Sequence, residues 1–218
     1  MMRKKPMLAY PVSDKPIDYT KPVFMQPKLD GVRCLIQYDG AESLVAYSRT
    51  GKVWKNINHI LYELIPFFKK YPNVILDGEL YNHALRDDFE KIISCVRKTK
   101  PTDADRAESR KLVQFHCYDI VDETLTFEER CKFVFDNLRD YYGVRTVPTI
   151  VTPTESQAKV NHARNLDSGY EGSILRTNDT YQCKRSHSLR KFKDFHDAEA
   201  VITDWVEGKG KRKGTIGK

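Results

Sequence analysis

The sequence predicts an α+β domain of mostly antiparallel sheets covered by helices. Three observations lead there. Short runs rich in β-branched and aromatic residues recur along the chain, about four segments of helical period lie between them, and hairpin turns join neighbouring runs where regular βαβ units would need long crossovers.

Residues 1–21 carry Pro6, Pro11 and Pro16 among lysines and short polar residues, and read as an extended lead-in over the domain surface. Strands are expected at 23–26 and 32–38, on either side of a loop holding Lys28. Asp39-Gly40 then turns the chain into a third strand, 43–47, closed by Ser48-Arg49-Thr50-Gly51. Asn56 stands where it would cap a helix bearing Ile60, Leu61, Leu64 and Ile65, which Pro66 ends or kinks. A strand follows at 73–81. Phe89, Ile92, Ile93 and Val96 have helical spacing within 87–98, and the polar stretch 98–110 reads as a loop.

The apolar run 112–121 is a strand ending in Tyr118-Asp119. Thr126-Phe127-Glu128-Glu129 is a capping box that opens a helix with Phe127, Cys131, Val134, Phe135 and Leu138 on one stripe. Thr154-Glu155-Ser156-Gln157 opens another, with Gly169 at its C-terminal cap. Strands at 172–177, 189–193 and 198–206 follow, and the tail from Gly208 is a basic loop.

With 218 residues the chain can hold one good-sized domain, or one domain and the beginning of a second. A hydrophobic content of 40%, with twelve tyrosines, ten phenylalanines and two tryptophans, supports a packed core and excludes a disordered chain. Net charge is +7, from 37 basic against 30 acidic residues, which suits a polyanionic partner. The five cysteines are widely spaced without a C-x-x-C pair, the pattern of buried thiols in a reducing compartment. No signal-peptide core or membrane-length apolar run is present, so an intracellular, cytoplasmic protein with no membrane partner is expected.

Lys28 ends an apolar run and is followed at once by Gly31 and Arg33. A nucleophilic lysine must lose its proton, yet at the ordinary pKa of about 10.4 fewer than roughly one in a thousand is neutral at pH 7. Neighbouring positive charge disfavours the ammonium form, and Arg33, Lys191, Lys193 or a bound metal would supply it. By itself the pattern also suits a surface hairpin. Arg49, at a strand end, also serves as surface decoration. Asp77 and Glu79 lie in an apolar strand, where carboxylates cost several kcal/mol unless paired or metal-bound. They mark either a Mg²⁺ site or an ion pair with a core arginine. Tyr118 precedes an acidic residue at a strand end, although a strand aromatic is ordinarily core. Lys191 and Lys193 share one side of a strand, the chemistry of a phosphate grip or of a protected sheet edge.

In order, K-L-D-G-V-R at 28–33, S-R-T-G at 48–51, D-G-E-L at 77–80, Tyr118-Asp119, E-G-S-I-L-R at 171–176 and R-K-F-K at 190–193 resemble the motifs of the covalent nucleotidyltransferases: ATP-dependent DNA ligases, RNA ligases and mRNA capping enzymes. The resemblance covers nearly the whole chain. The run from Arg190 to Ala200, with Asp197-Ala198-Glu199-Ala200, is similar to the corresponding segment of small viral and bacterial ATP-dependent DNA ligases. The twenty-seven residues before Lys28 are too few for the nicotinamide-recognising domain of NAD-dependent ligases.

The resemblance implies a nucleotidyltransferase (ATP-grasp-like) fold over 1–197 and the start of an oligonucleotide-binding (OB) fold over 198–218. It implies ATP as cofactor, with AMP carried covalently on Lys28 and passed to the 5′-phosphate of a DNA nick that the 3′-hydroxyl then seals. Nucleotide contacts would come from Gln26, Lys28, Arg33, Arg49, Glu79, Tyr118, Glu171, Lys191 and Lys193. Tyr118 would stack on the purine and the two lysines grip the α-phosphate. Glu79 and Glu171 would hold Mg²⁺ or Mn²⁺. The implied partner is nicked double-stranded DNA, bound by a monomer in replication, repair or recombination, in a viral, bacterial or nuclear setting. An RNA ligase or mRNA capping guanylyltransferase is the alternative on the same scaffold, and a non-catalytic basic nucleic-acid-binding module the alternative of another class. About five strands close an OB barrel, so the remainder of that barrel and the family's sixth motif are expected to lie outside this sequence.

Overall fold

The computed structural model describes residues 4–39, 43–138, 141–194, 201 and 203–217. Two five-stranded sheets carry the fold. In the first, the spatial order is β1 (Leu8–Pro11), β10 (Arg185–Phe192), β9 (Gly172–Thr177), β2 (Val23–Lys28) and β8 (Ile150–Val151). In the second it is β4 (Leu44–Tyr47), β3 (Val32–Tyr38), β5 (Leu76–Tyr81), β6 (Gln114–Ile120) and β7 (Val144–Thr146). Only β1–β10 and β6–β7 pair in parallel; the other named pairs are antiparallel. The α+β, mostly antiparallel expectation stands.

Residues 29–31 carry the chain from β2 in the first sheet to β3 in the second, so Lys28 lies where the sheets meet. The main core forms where the second sheet packs on helices α1 (Asn58–Lys70) and α2 (Phe89–Val96), burying Ile36, Leu80, Phe115, Ile60, Phe68 and Ile92. Each such side chain contributes roughly 1.5–3 kcal/mol. A smaller cluster of Val23, Met25, Leu175 and Ala158 seats α5 (Glu155–Asp167) on the first sheet.

Several local expectations are corrected. The lead-in is more than a surface cover: it contributes β1, and Met7 is buried beside Tyr181 and Leu189. Asn56 does not cap α1, because its amide is drawn inward to the carbonyls of Cys95 and Asp105; Ile57 holds the cap position. Pro66 neither ends α1 nor stops its burial, since Phe67 and Phe68 beyond it are buried. The stretch 98–110 is not a loop but contains α3 (Asp103–Leu112), opened by a Thr102–Asp105 capping box and tied to α2 by Lys91 and Glu108 at 2.6 Å. In α4 (Phe127–Asn137) the inward stripe is Phe127, Arg130 and Val134, while Phe135 is 78% exposed. Arg130 fits inside because Asp119 receives it at 2.7 Å.

Gly169 does cap α5. At φ +83° it donates to Leu166 O while Tyr170 donates to Asn165 O, a Schellman closure. The Gly40 turn lies outside the described residues, as do Phe195 to Ala200 of the segment resembling a ligase and Ile202 of the strand expected at 198–206. The described part of 198–206 forms no strand, and Glu207 makes an antiparallel bridge to Ile216. Among the described residues no helix is long and apolar enough to cross a membrane.

Candidate active site

β2 continues through Lys28, which pairs across the first sheet with Gly172. That register brings Glu171 beside it: the Glu171 N–H donates to Lys28 O at 3.2 Å, and Lys28 Nζ donates to Glu171 Oε2. Lys193 Nζ approaches the other oxygen, Oε1, at 3.4 Å. Gly172 makes this approach possible. Its φ is +147°, and a Cβ there would run into the carbonyl of Phe192, the residue before Lys193.

On β5 the two carboxylates divide. Asp77 is fully buried and accepts both Nε and Nη2 of Arg33, with Tyr181 Oη donating at 2.7 Å. It is the partner of a core arginine, and Arg33 is directed at Asp77 from the cleft wall. Glu79 faces the cleft. Burial pushes its carboxyl up to about 7, against the lowering pull of Arg33 and Lys28.

Tyr118 reaches Glu79 through a β-bulge. Asp77 pairs with Asp119 and Gly78 with Cys117, leaving Tyr118 as the extra residue. Bulges re-aim side chains beside functional sites, and here the Tyr118 hydroxyl donates to Glu79 Oε2 at 3.3 Å. The guanidinium carbons of Arg33 and Arg176 lie 5.2 and 5.6 Å from its ring centroid. Burial holds the phenol well above its ordinary pKa.

Gln26 is locked. Its amide nitrogen donates to Tyr118 O at 3.1 Å and Thr149 Oγ1 at 2.9 Å, and its oxygen accepts Arg176 Nε at 2.8 Å. Arg49 and Lys191 complete the wall of a cleft of about 310 Å³ whose lining also includes Gln26, Lys28, Arg33, Glu79 and Tyr118. Glu171 joins it through its contact with Lys28, and Lys193 through its contact with Glu171. A wider concavity of about 790 Å³ lies between β4 and α1, but among the described residues Lys69 alone brings charge to its lining, so convergent polar chemistry belongs to the smaller cleft.

A layer beneath the cleft has no counterpart among the expected site residues. Asp119, fully buried, accepts Arg130 Nε and Arg176 Nη1, each at 2.7 Å, and Arg176 passes the order on to Gln26. The acidic end of an apolar strand was the available signal; its two arginine partners lie 11 and 57 residues away.

Glu171 touches Lys28 and Glu79 lines the same cleft, two carboxylates of the kind Mg²⁺ uses together with substrate phosphates. Among the described residues no group of three or more His, Cys, Asp or Glu forms a cage that would hold a metal without substrate.

A family model described as an ATP dependent DNA ligase domain matches residues 6–193. DNA ligases of African swine fever virus are similar to the chain. That of a South African tick isolate is 28% identical over 207 residues, covering 90% of this chain and 48% of the relative. That of a Kenyan pig isolate is 28% identical over 209 residues, covering 91% and 48%. The chain therefore spans about half the length of the curated relatives it matches. Among solved structures, a Lig E DNA ligase described as binding DNA with a minimal scaffold superposes with TM-score 0.73 at 24% identity, over 99% of this chain and 78% of that one. The Chlorella virus DNA ligase-adenylate gives 0.66 at 21%, over 95% and 73%. The bacteriophage T7 ATP-dependent ligase with ATP gives 0.67 at 15%, over 98% and 75%. These likenesses establish a shared fold. Because 6–193 encloses both sheets, helices α1 to α5 and the lysine cleft, the chain belongs to the family of ATP-dependent DNA ligase domains.

Proposed function

We propose that this chain is the adenylylating part of an ATP-dependent DNA ligase. Lys28 Nζ, once deprotonated, attacks the α-phosphorus of ATP; the N–P bond forms, the bond to the bridging oxygen breaks, and pyrophosphate leaves. The AMP then passes from Lys28 to the 5′-phosphate of a nick in double-stranded DNA, where the 3′-hydroxyl displaces it. The observation that carries this reading is the contact of Lys28 with Glu171 at the floor of a cleft walled by Tyr118, Glu79, Arg49 and Lys191. Phosphoryl transfer asks for positioning and charge neutralisation more than proton shuttling, and these residues offer both.

Glu171 holds Nζ in place until the nucleotide arrives. Lys191 and Lys193 steady the α-phosphate, Tyr118 stacks on the purine, Gln26 and Arg33 shape the pocket that Arg176 and Asp77 keep rigid, and Arg49 meets a phosphate at the rim. Glu79 and Glu171 would hold Mg²⁺ or Mn²⁺, which when bound neutralises phosphate charge. Residues 1–197 are assigned to this adenylation domain. Residues 198–218 are assigned to the opening of an OB-fold domain, in keeping with the Glu207–Ile216 bridge, which lies outside both sheets. The protein acts as a monomer.

Incubation with α-labelled ATP or GTP, followed by resolution of labelled protein on a gel, tests the reading. Labelling by ATP and not GTP is expected. Labelling by GTP alone means a capping-type transferase, and no label from either means a binding module. Sealing of nicked RNA in preference to nicked DNA means an RNA ligase.

A further inference from the structure

His162 on α5 is buried behind the meeting point of Glu171 and Lys193. Its ring lies flat on the ring of Phe192, centroids 3.7 Å apart and planes within 10°. Nδ1 is 3.0 Å from Ser173 Oγ, and Nε2 is 3.2 Å from Asp194 Oδ1. Asn165 Nδ2 donates to the same serine oxygen at 2.8 Å. With a neutral imidazole the polar chain runs in one direction: Asn165 donates to Ser173, the Ser173 hydroxyl donates to Nδ1, and Nε2–H donates to Asp194.

A serine, a histidine and an aspartate in line suggest a nucleophile, but two facts exclude one. Ser173 is fully buried within β9, and its hydroxyl sits on Nδ1 with the carboxylate on Nε2, the reverse of an acyl-transfer triad.

What the ring grips is more telling. Ser173 stands two residues beyond Glu171, Phe192 and Asp194 flank Lys193, and Ser173 and Phe192 are cross-strand partners. One imidazole therefore clamps both strand ends from which Glu171 and Lys193 project. A lysine ammonium is a point charge on a flexible stem, so its useful position depends on how firmly its backbone is anchored. Phe192 ends β10, leaving Lys193 and Asp194 beyond the ladder.

We infer that His162 is a positioning residue for adenylylation: by holding Ser173, Phe192 and Asp194 together it fixes Lys193 relative to Glu171, and so fixes where the α-phosphate is gripped. The inference rests on the function proposed for the Lys28 cleft.

The test measures single-turnover self-adenylylation of the full chain with α-labelled ATP across an ATP titration. His162→Phe keeps a ring on Phe192 and removes both hydrogen bonds. Asp194→Ala removes one of them at a half-exposed position. His162→Phe is expected to slow labelling at saturating ATP by roughly 10- to 100-fold, the size of effect that a small misplacement of a charged group produces; Asp194→Ala should slow it less. The deciding measurement repeats both changes in a Lys193→Ala background. There they should have no further effect, because the group being positioned is gone. Effects that multiply in the double variants, or single variants that label at the wild-type rate, overturn the inference. Should His162→Phe fail to fold, Asp194→Ala decides by the same comparison. A wild-type chain that never labels overturns the proposed function instead, so the two failures are distinguishable.

Discussion

Tyr118 donates its hydroxyl to Glu79 at 3.3 Å, a contact that exists because a bulge at Tyr118 turns it toward the cleft. The ring is thus fixed at one end by a carboxylate and flanked by two guanidinium groups. If the ring is the purine platform, Tyr118→Ala loses a base stack worth about 1–3 kcal/mol, roughly a 5- to 150-fold rise in the ATP concentration needed for half-maximal labelling. Tyr118→Phe keeps the platform and should cost much less. Equal shifts in the two titrations would remove Tyr118 from that role.

Glu79 makes the folded chain pH-sensitive without any ligand. Its carboxyl is raised by burial from 4.5 to about 7. Between those values the folded state holds a proton that the unfolded state has released, so folding loses stability as pH rises through this window, and the loss is complete above about 7. Glu79→Gln carries no such proton. Its melting temperature relative to wild type should climb from pH 4.5 to pH 7 and then level off. A difference that stays constant across the range would show that Glu79 titrates normally.

Lys28→Ala should abolish labelling and leave the fold intact. Lys28 is partly exposed at a strand end, and after its removal Glu171 still has Lys193. The stability change should stay within about 1 kcal/mol, as for other partly solvated ion pairs. Urea unfolding beside the gel assay checks both halves, and a labelled Lys28→Ala protein would sink the nucleophile assignment.

Thr102→Ala probes the helix that polar composition conceals. Residues 32–38 and 172–177 were legible to the residue because each is a short run with an apolar centre, bounded by turn residues. α3 was not: Ser109 is its one buried residue, its box closes with Asp105 where Glu or Gln is usual, and its support comes from Asn56 and Lys91 elsewhere in the chain. β1 was hidden by prolines, and by the fact that its partner lies about 180 residues away. At the site, Lys28, Arg33, Arg49, Glu79, Tyr118 and Lys191 stand in local motifs and could be named, whereas Arg185, which also lines the cleft, stands in none. The Asp119–Arg176–Arg130 layer could not, because nothing local pairs residues on β6, β9 and α4. Removing the Thr102 side chain should cost about 1 kcal/mol, seen as a lower urea midpoint; no change would mean that tertiary contacts alone hold α3.

Gly172→Ala separates stability from chemistry. The new methyl group meets the Phe192 carbonyl, and a φ of +147° is strained for any residue with a Cβ, so β9 and the end of β10 must part. Strain of this kind costs about 1–3 kcal/mol. Parting also draws Lys193 from Glu171, so labelling at saturating ATP should fall more than about tenfold, on the scale that misplacing a charged group produces, even at temperatures where the variant is fully folded. Gly169→Ala is the comparison. It too sits at positive φ, +83°, but its Cβ would press on the flexible Arg86 side chain at the far end of the Schellman turn. That variant should lose a similar amount of stability and keep its labelling rate. If both glycine variants label at the wild-type rate once folded, close packing at Gly172 serves the sheet alone and the Glu171–Lys193 approach is not part of the chemistry.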